Sequence, residues 1–260
     1  MGNSFSEIKY EVKSNAAWIT LNRPDAFNSF TPEMIKEVTS ALKRANRDQD
    51  VRAVVITGEG RAFCAGQDIK TVDENTDYSG LLRNYYHPMV KALEAVTKPT
   101  IAAVNGVAAG AGMSLALATD FRIVHEKSSF VSAFMGIGLI PDSGFIYNLP
   151  RMIGYTKALE IATLDKQISG EEAKELGLAT ELVALDDWAE EVEKFVDRLA
   201  NLPTAAFSLI KRYMMDSMHN PLDPLLEQEA QAQQTAALTA DHKEGLQAFI
   251  EKRKPVFTGK

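Results

Sequence analysis

The sequence predicts an α/β fold, and three observations carry that reading. Short β-rich runs alternate with amphipathic helical stretches through the first two-thirds of the chain. Two hydrophobic runs each pass into a glycine-rich loop, RAFCAGQDIK at 61–70 and NGVAAGAGMSLALATD at 105–120. From about Asp186 the pattern changes to consecutive helices with no convincing strand, punctuated by Pro203, Pro221 and Pro224. The expected division is therefore an α/β part, residues 1–185, and an all-helical appendage, residues 186–260.

In chain order, IKYEVK at 8–13 and AAWITLN at 16–22 read as a β-hairpin. Thr31 followed by Pro32 and Glu33 marks a helix start, with Thr31 as N-cap and Pro32 at the first helical position. Met34, Ile35, Val38 and Leu42 then form its apolar face. RAVVITG at 52–58 and TIAAVNG at 100–106 read as buried strands, each feeding a glycine loop that opens into a helix or turn. Ser169 and Glu172 form a capping box for a short helix that stops at Gly177. Three or four helices follow, and their apolar positions Leu199, Leu202, Phe207, Leu209 and Ile210 suggest an oligomer contact.

Composition narrows the function. With 260 residues and 45% apolar content the chain can bury a sizeable core. Its 28 basic against 35 acidic residues, net −7, argue against a nucleic-acid or membrane-surface binder, so an anionic ligand must be held locally. The start MGNSFS fits an N-myristoylation pattern, but nothing else points to lipid, and there is no signal-peptide pattern or spanning apolar stretch. One cysteine, Cys64, excludes an intramolecular disulfide and makes the cytoplasm the default setting. It reads as a packing residue, because no histidine stands near it. His87, His125, His219 and His242 show no paired metal spacing, and no metal is expected. A structural role is the simpler reading of His87, with acyl-pocket lining as the alternative.

Two strand-to-glycine passages can bring two backbone N–H groups onto one oxygen, an arrangement suited to an enolate. The spacing of AFCAGQD, NGVAAGAG and the later IPD at 140–142 resembles the crotonase superfamily, the enoyl-CoA hydratases and isomerases, over essentially the whole chain. The resemblance implies a spiral of ββα units with a C-terminal helical trimerisation segment, giving a homotrimer or hexamer. It assigns the oxyanion-hole donors to the backbone N–H groups of Gln67 and Ala111. Phe27, Ala65, Gly66, Asp68 and Ile69 fall along the adenosine and pantetheine arm of coenzyme A, Phe134 among the substrate-binding residues, and Phe249 and Lys252 over the nucleotide. No separate cofactor is implied, because the CoA thioester is itself the substrate.

The carboxylates decide the reaction. Hydratases of this superfamily use two glutamates, and the corresponding positions here hold Ser114 and Phe134, neither of which suits general acid–base work. Asp142 stands where those hydratases carry glycine. A lone carboxylate can move a proton from one carbon of an enolisable thioester to another, so the expected activity is isomerisation; the resemblance implies a ring-epoxidised phenylacetyl-CoA or a linear 3-enoyl-CoA as the substrate. Hydration, haloaryl-CoA dehalogenation with Asp142 as nucleophile, and a catalytically silent CoA- or RNA-binding role are the rivals. Asp142 as a cap of the following helix is the plain structural alternative. Phe134, Ile137, Leu139, Ile140 and Phe145 are expected to form an apolar pocket that raises its pKa.

Overall fold

The computed structural model describes residues 5–260, so most of the acylation-like start, Met1 to Ser4, lies outside it. β1 (Ile8–Lys13) and β2 (Ala16–Leu21) form the expected antiparallel hairpin, turned by left-handed Ser14 and Asn15. α1 (Pro32–Arg47) starts where its cap dictates: the Thr31 hydroxyl accepts from the Met34 N–H, and Met34, Ile35, Val38 and Leu42 are buried. Buried Glu37 on the same helix accepts the N–H groups of Ser6, Glu7 and Ile8, pinning the start of β1 to it.

The rest of the α/β part repeats one step three times: a strand in a large sheet, then a short strand in a small one, then helical chain. β3 (Ala53–Gly58) is followed by β4 (Ala62–Cys64), then α2 (Tyr78–Leu81), a wide turn over Leu82–Tyr86, and α3 (His87–Glu94). β5 (Thr100–Val104) and β6 (Val107–Ala109) lead into α4 (Ala111–Leu117). β7 (Phe121–His125) and β8 (Ser129–Val131) lead through a long loop into α5 (Phe145–Ile153) and α6 (Tyr155–Leu164). After β9 (Ile168–Ser169), α7 (Gly170–Glu175) and β10 (Glu181–Val183) complete this part. The large sheet runs β1-β2-β3-β5-β7-β10, parallel beyond the hairpin, and the small one β4-β6-β8-β9. This is the expected spiral of ββα units.

Two expectations need correction. The predicted strands do not enter the glycine loops directly; β4 and β6 intervene, each too short to show a period. The capping box at α7 is half made: the Ser169 hydroxyl accepts from the Glu172 N–H, whereas the Glu172 carboxylate pairs with Lys166.

Strand alternation divides the core. Val54 and Ile56 of β3 face the main cluster with α1 and α3, whereas Ala53 and Val55 face a second cluster with α8 (Trp188–Ala200). That second cluster absorbs Leu199, with Leu202 packed against it, and the ring of Phe207 lies 6.1 Å from Phe121. Of the five tail residues expected at an oligomer contact, three thus pack on the chain's own core. Leu209 and exposed Ile210 instead line a groove between α9 (Thr204–Ser217) and α10 (Leu222–Ala237). α11 (Ala240–Glu251) ends the fold, and its buried Asp241 accepts the N–H groups of Thr258 and Gly259, strapping the C-terminal residues back onto the helix.

Candidate active site

The two glycine loops meet because their short strands are in register. Cys64 pairs with Ala108 in the parallel β4–β6 ladder, so three residues further on Gln67 and Ala111 stand side by side. A Cβ on Gly66, which has φ +88°, would lie 2.8 Å from the carbonyl oxygen of Ala109 and 3.3 Å from the backbone nitrogen of Ala111. Only glycine allows this approach. Gly112 is under the same demand: its Cβ would sit 2.2 Å from the Cys64 carbonyl oxygen.

Both expected donors are free to act. The Phe30 N–H holds the carbonyl of Gly66 at 2.7 Å and the Phe30 carbonyl accepts from Asp68 at 3.0 Å, which leaves the intervening Gln67 N–H directed away from that strand. Ala111 is the first residue of α4, where backbone N–H groups lack intrahelical partners. Neither N–H donates to an acceptor among the described residues.

Asp142 comes to the helix behind the second glycine loop from the third turn of the spiral, its backbone carbonyl accepting from the Ser114 hydroxyl at 3.0 Å. The loop from Val131 to Phe145 bends through left-handed Ala133, Gly138, Ser143 and Gly144, a concentration of non-glycine strain of the kind found at functional sites. α5 is capped by Gly144 with no side-chain bond, so Asp142 does not cap it. Its carboxylate instead accepts from the buried Ser143 hydroxyl at 2.8 Å. Burial raises the Asp142 pKa above the ordinary carboxylate value of 3.8, opposed by the Ser143 bond and by nearby His87.

The surroundings are aromatic on one side only. Phe134 is buried with its ring 6.1 Å from Phe145, and it approaches Gly110. Leu139 packs against the core. Ile137 and Ile140 correct the expectation of a continuous apolar pocket: they are 70% and 75% exposed, because the turn at Gly138 faces them outward.

The CoA-arm residues divide similarly. Phe27 is partly exposed, with the Arg61 guanidinium 4.3 Å above its ring, and Ala65 and Ile69 are open to solvent. Asp68 is buried, pairs with Arg23 at 2.9 Å and caps the turn at Ile69–Thr71 by accepting from the Lys70 N–H. Burial works against its charge, but the Arg23 and Lys70 bonds together hold its pKa below the usual value. Phe249 and Lys252 are exposed at the end of α11, and no hydrogen bond joins them to the glycine loops. Burial pushes the Cys64 thiol up to about 12, consistent with a packing residue. Among the described residues no three His, Cys, Asp or Glu side chains gather as metal ligands.

Sequence reasoning misses Tyr86. Its buried hydroxyl donates to the Gln67 side chain at 2.6 Å and its ring packs edge-on against Phe30. Its place directly before His87-Pro88 is the only local cue.

Comparison with known proteins agrees with this geometry. The sequence pattern of the enoyl-CoA hydratase/isomerase family matches residues 11–260. The chain is 41% identical over 260 residues to 1,2-epoxyphenylacetyl-CoA isomerase of Escherichia coli, covering 97% of this chain and 98% of that protein. It is also 41% identical over 258 residues, 99% and 100% of the two chains, to a Rhodobacter capsulatus protein named "Probable enoyl-CoA hydratase". A solved Mycobacterium abscessus structure described as an enoyl-CoA hydratase/isomerase superposes with a TM-score of 0.92 at 38% identity, covering 97% of this chain and all of that one.

Proposed function

Because the chain belongs to the enoyl-CoA hydratase/isomerase family, we propose that it is an acyl-CoA isomerase in which Asp142 alone moves the proton. The observation that carries this reading is the state of the three acid–base positions. Ser114 and Phe134 stand where two carboxylates would be needed for hydration, and the Asp142 carboxylate beside them serves no structural cap.

The chemistry follows from those atoms. The thioester oxygen accepts from the Gln67 and Ala111 N–H groups. Asp142 then takes a proton from the carbon next to the thioester; the C–H electron pair moves into the π system and onto the oxygen, giving an enolate held by the two donors. Return of that proton to the far end of the unsaturated system regenerates the carboxylate and shifts the double bond. Burial raises the Asp142 pKa and so strengthens it as a base. 3-Enoyl-CoA thioesters are substrates for this shift; a ring-epoxidised phenylacetyl-CoA, supported by the E. coli relative's name, offers Asp142 the same acidic carbon, and its rearrangement additionally breaks a bond of the epoxide ring.

Hydration is the second reading, supported by the name of the R. capsulatus relative. Parallel assays with a 3-enoyl-CoA and with crotonyl-CoA distinguish the two: an isomerase converts the first rapidly and hydrates the second poorly.

We further place the protein in a trimer-based assembly. The groove between α9 and α10 presents Leu209, Ile210, Tyr213 and Met214 beside Leu225 and Leu226, apolar side chains that a second copy of the chain could bury. Phe249 and Lys252 are assigned to closing over the CoA nucleotide, with Phe27, Ala65 and Ile69 along its arm. A lone buried cysteine supports a reducing, cytoplasmic setting.

A further inference from the structure

A backbone donor makes little demand on its own side chain, yet the Gln67 side chain is held at both ends. Its Oε1 accepts from the Tyr86 hydroxyl at 2.6 Å, and its Nε2 donates to Thr71 Oγ1 at 2.8 Å and to the Phe30 carbonyl at 3.3 Å. Thr71 gives its single hydroxyl proton to the Asp68 carbonyl at 2.7 Å, so toward Gln67 it can only accept. That polarity fixes the amide: oxygen toward Tyr86, nitrogen toward Thr71. The hydrogen-bond chain starts at Tyr86, crosses Gln67 and Thr71, and returns to the backbone one residue beyond Gln67.

Tyr86 is itself firmly placed. It ends the wide Leu82–Tyr86 turn, which closes with the His87 N–H on the Leu82 carbonyl, a winding frequent at functional sites. Its ring meets Phe30 edge-on at 5.8 Å, and Phe30 is the residue that brackets the Gln67 peptide from the other side. Cys64 and Asp142 are its titratable neighbours, and burial raises the phenol pKa, which keeps the hydroxyl a donor at neutral pH.

We propose that Tyr86 and the Gln67 side chain form a latch that aims the Gln67 backbone N–H into the oxyanion hole, making both side chains positioning residues for carbonyl polarisation. The inference rests on the isomerase reading above, in which that N–H is an oxyanion donor.

The test uses 4-dimethylaminocinnamoyl-CoA, a thioester whose absorbance moves to the red as its carbonyl is polarised, alongside 3-enoyl-CoA turnover. Wild type is expected to shift the bound probe. Tyr86→Phe keeps the ring and its contact with Phe30, and Gln67→Met keeps the backbone N–H. Each is expected to lose a large part of the red shift and roughly tenfold in kcat, with KM within about twofold, a fraction of the 10² to 10³ that loss of a whole donor costs. The double variant is expected to be no worse than Gln67→Met alone, because Tyr86 acts through its bond to the Gln67 side chain. Wild-type shift and kcat in both single variants, or additive losses in the double, would overturn the latch. A wild type that binds the probe with no shift would instead overturn the oxyanion-hole reading beneath it. If Tyr86→Phe fails to fold, Gln67→Met at its half-buried site reads the same bond from the other side.

Discussion

The Ser114 hydroxyl donates to the backbone carbonyl of Asp142 at 3.0 Å, across 28 residues of sequence and from a site with no solvent exposure. It also reaches the Gly110 carbonyl at 3.3 Å, so one hydroxyl ties the second glycine loop to the loop of the candidate base. On the proposed correspondence of Ser114 with a hydratase carboxylate, this chain has a small structural donor in its place. A glutamate there could not make the same bond when ionised, because a carboxylate only accepts. Under the isomerase reading, one residue thus both stands in for the absent carboxylate and fixes the loop of the proposed base.

Asp142→Asn is expected to abolish isomerisation of a 3-enoyl-CoA, by at least the 10² to 10⁴ that a general acid or base typically contributes. Binding of the CoA ester, followed by calorimetry, is expected to stay close to wild type, because asparagine keeps the shape. Folding is expected to survive, since the side chain caps no helix and accepts only from Ser143. Retention of most of the activity would remove Asp142 from its role.

The pH dependence follows from the raised Asp142 pKa. The base works ionised, so kcat/KM is expected to fall on the acid side with an apparent pKa above 3.8, and this limb is expected to be absent from the residual rate of Asp142→Asn. Stability runs the other way. A carboxyl whose folded pKa is raised contributes stability that is fully present below its unfolded value and lost as pH rises through the folded one. At neutral pH Asp142→Asn is therefore expected to melt no lower than wild type. A lower Tm for the variant at pH 7 would contradict the burial assigned to this group.

Much of this arrangement is legible in sequence, and what is not has a physical cause. The hairpin, α1 with its Thr31 cap, β3 and β5 are long enough to display their periods or carry local cap chemistry. β4, β6 and β8 span three residues each and exist through pairing with one another, which no local window records. The glycines at 66 and 112 signal close approach, but what they approach is set by the β4–β6 register. Ile137 and Ile140 read as apolar lining, yet Gly138 at φ +73° turns them outward. Tyr86 meets Gln67 through a turn and a long loop, with no periodic signal linking them.

Hydration of crotonyl-CoA is expected to be slow, with kcat/KM below roughly 10⁴ M⁻¹s⁻¹. Sharing water activation and α-carbon protonation takes a second acid–base group, and the one Ser114 hydroxyl proton is already engaged with backbone carbonyls. Efficient hydration by the wild-type protein, measured by loss of enoyl absorbance, would show that another group supplies the missing acid or base.

Gly112→Ala tests the meeting of the two loops. Its added methyl would lie 2.2 Å from the Cys64 carbonyl oxygen and 2.7 Å from the Cys64 Cβ, both in β4 and neither able to yield as a flexible chain end would. Overpacking of this kind typically costs about 1 to 3 kcal/mol. The expected outcome is a lower Tm together with a disproportionate fall in kcat, because relieving the clash moves Ala111 away from Gln67. Unchanged Tm and kcat would mean that the loops are not in this contact.

Association provides the last test, and it turns on which apolar residues of the tail remain unburied. Leu199 is buried in the second core cluster, and the partly buried Leu202 and Phe207 pack against it and against Phe121. Ile210, Met214 and Leu226 are 55%, 65% and 50% exposed along the α9–α10 groove, so they are the tail's apolar side chains left for a second copy to bury. Ultracentrifugation is expected to give a trimer or a multiple of it at micromolar concentration. Ile210→Glu with Met214→Glu is expected to shift the population toward monomer, whereas Phe207→Ala, which loosens the tail from Phe121, is expected to lower Tm first. A clean wild-type monomer would assign the groove to something other than a second copy of this chain.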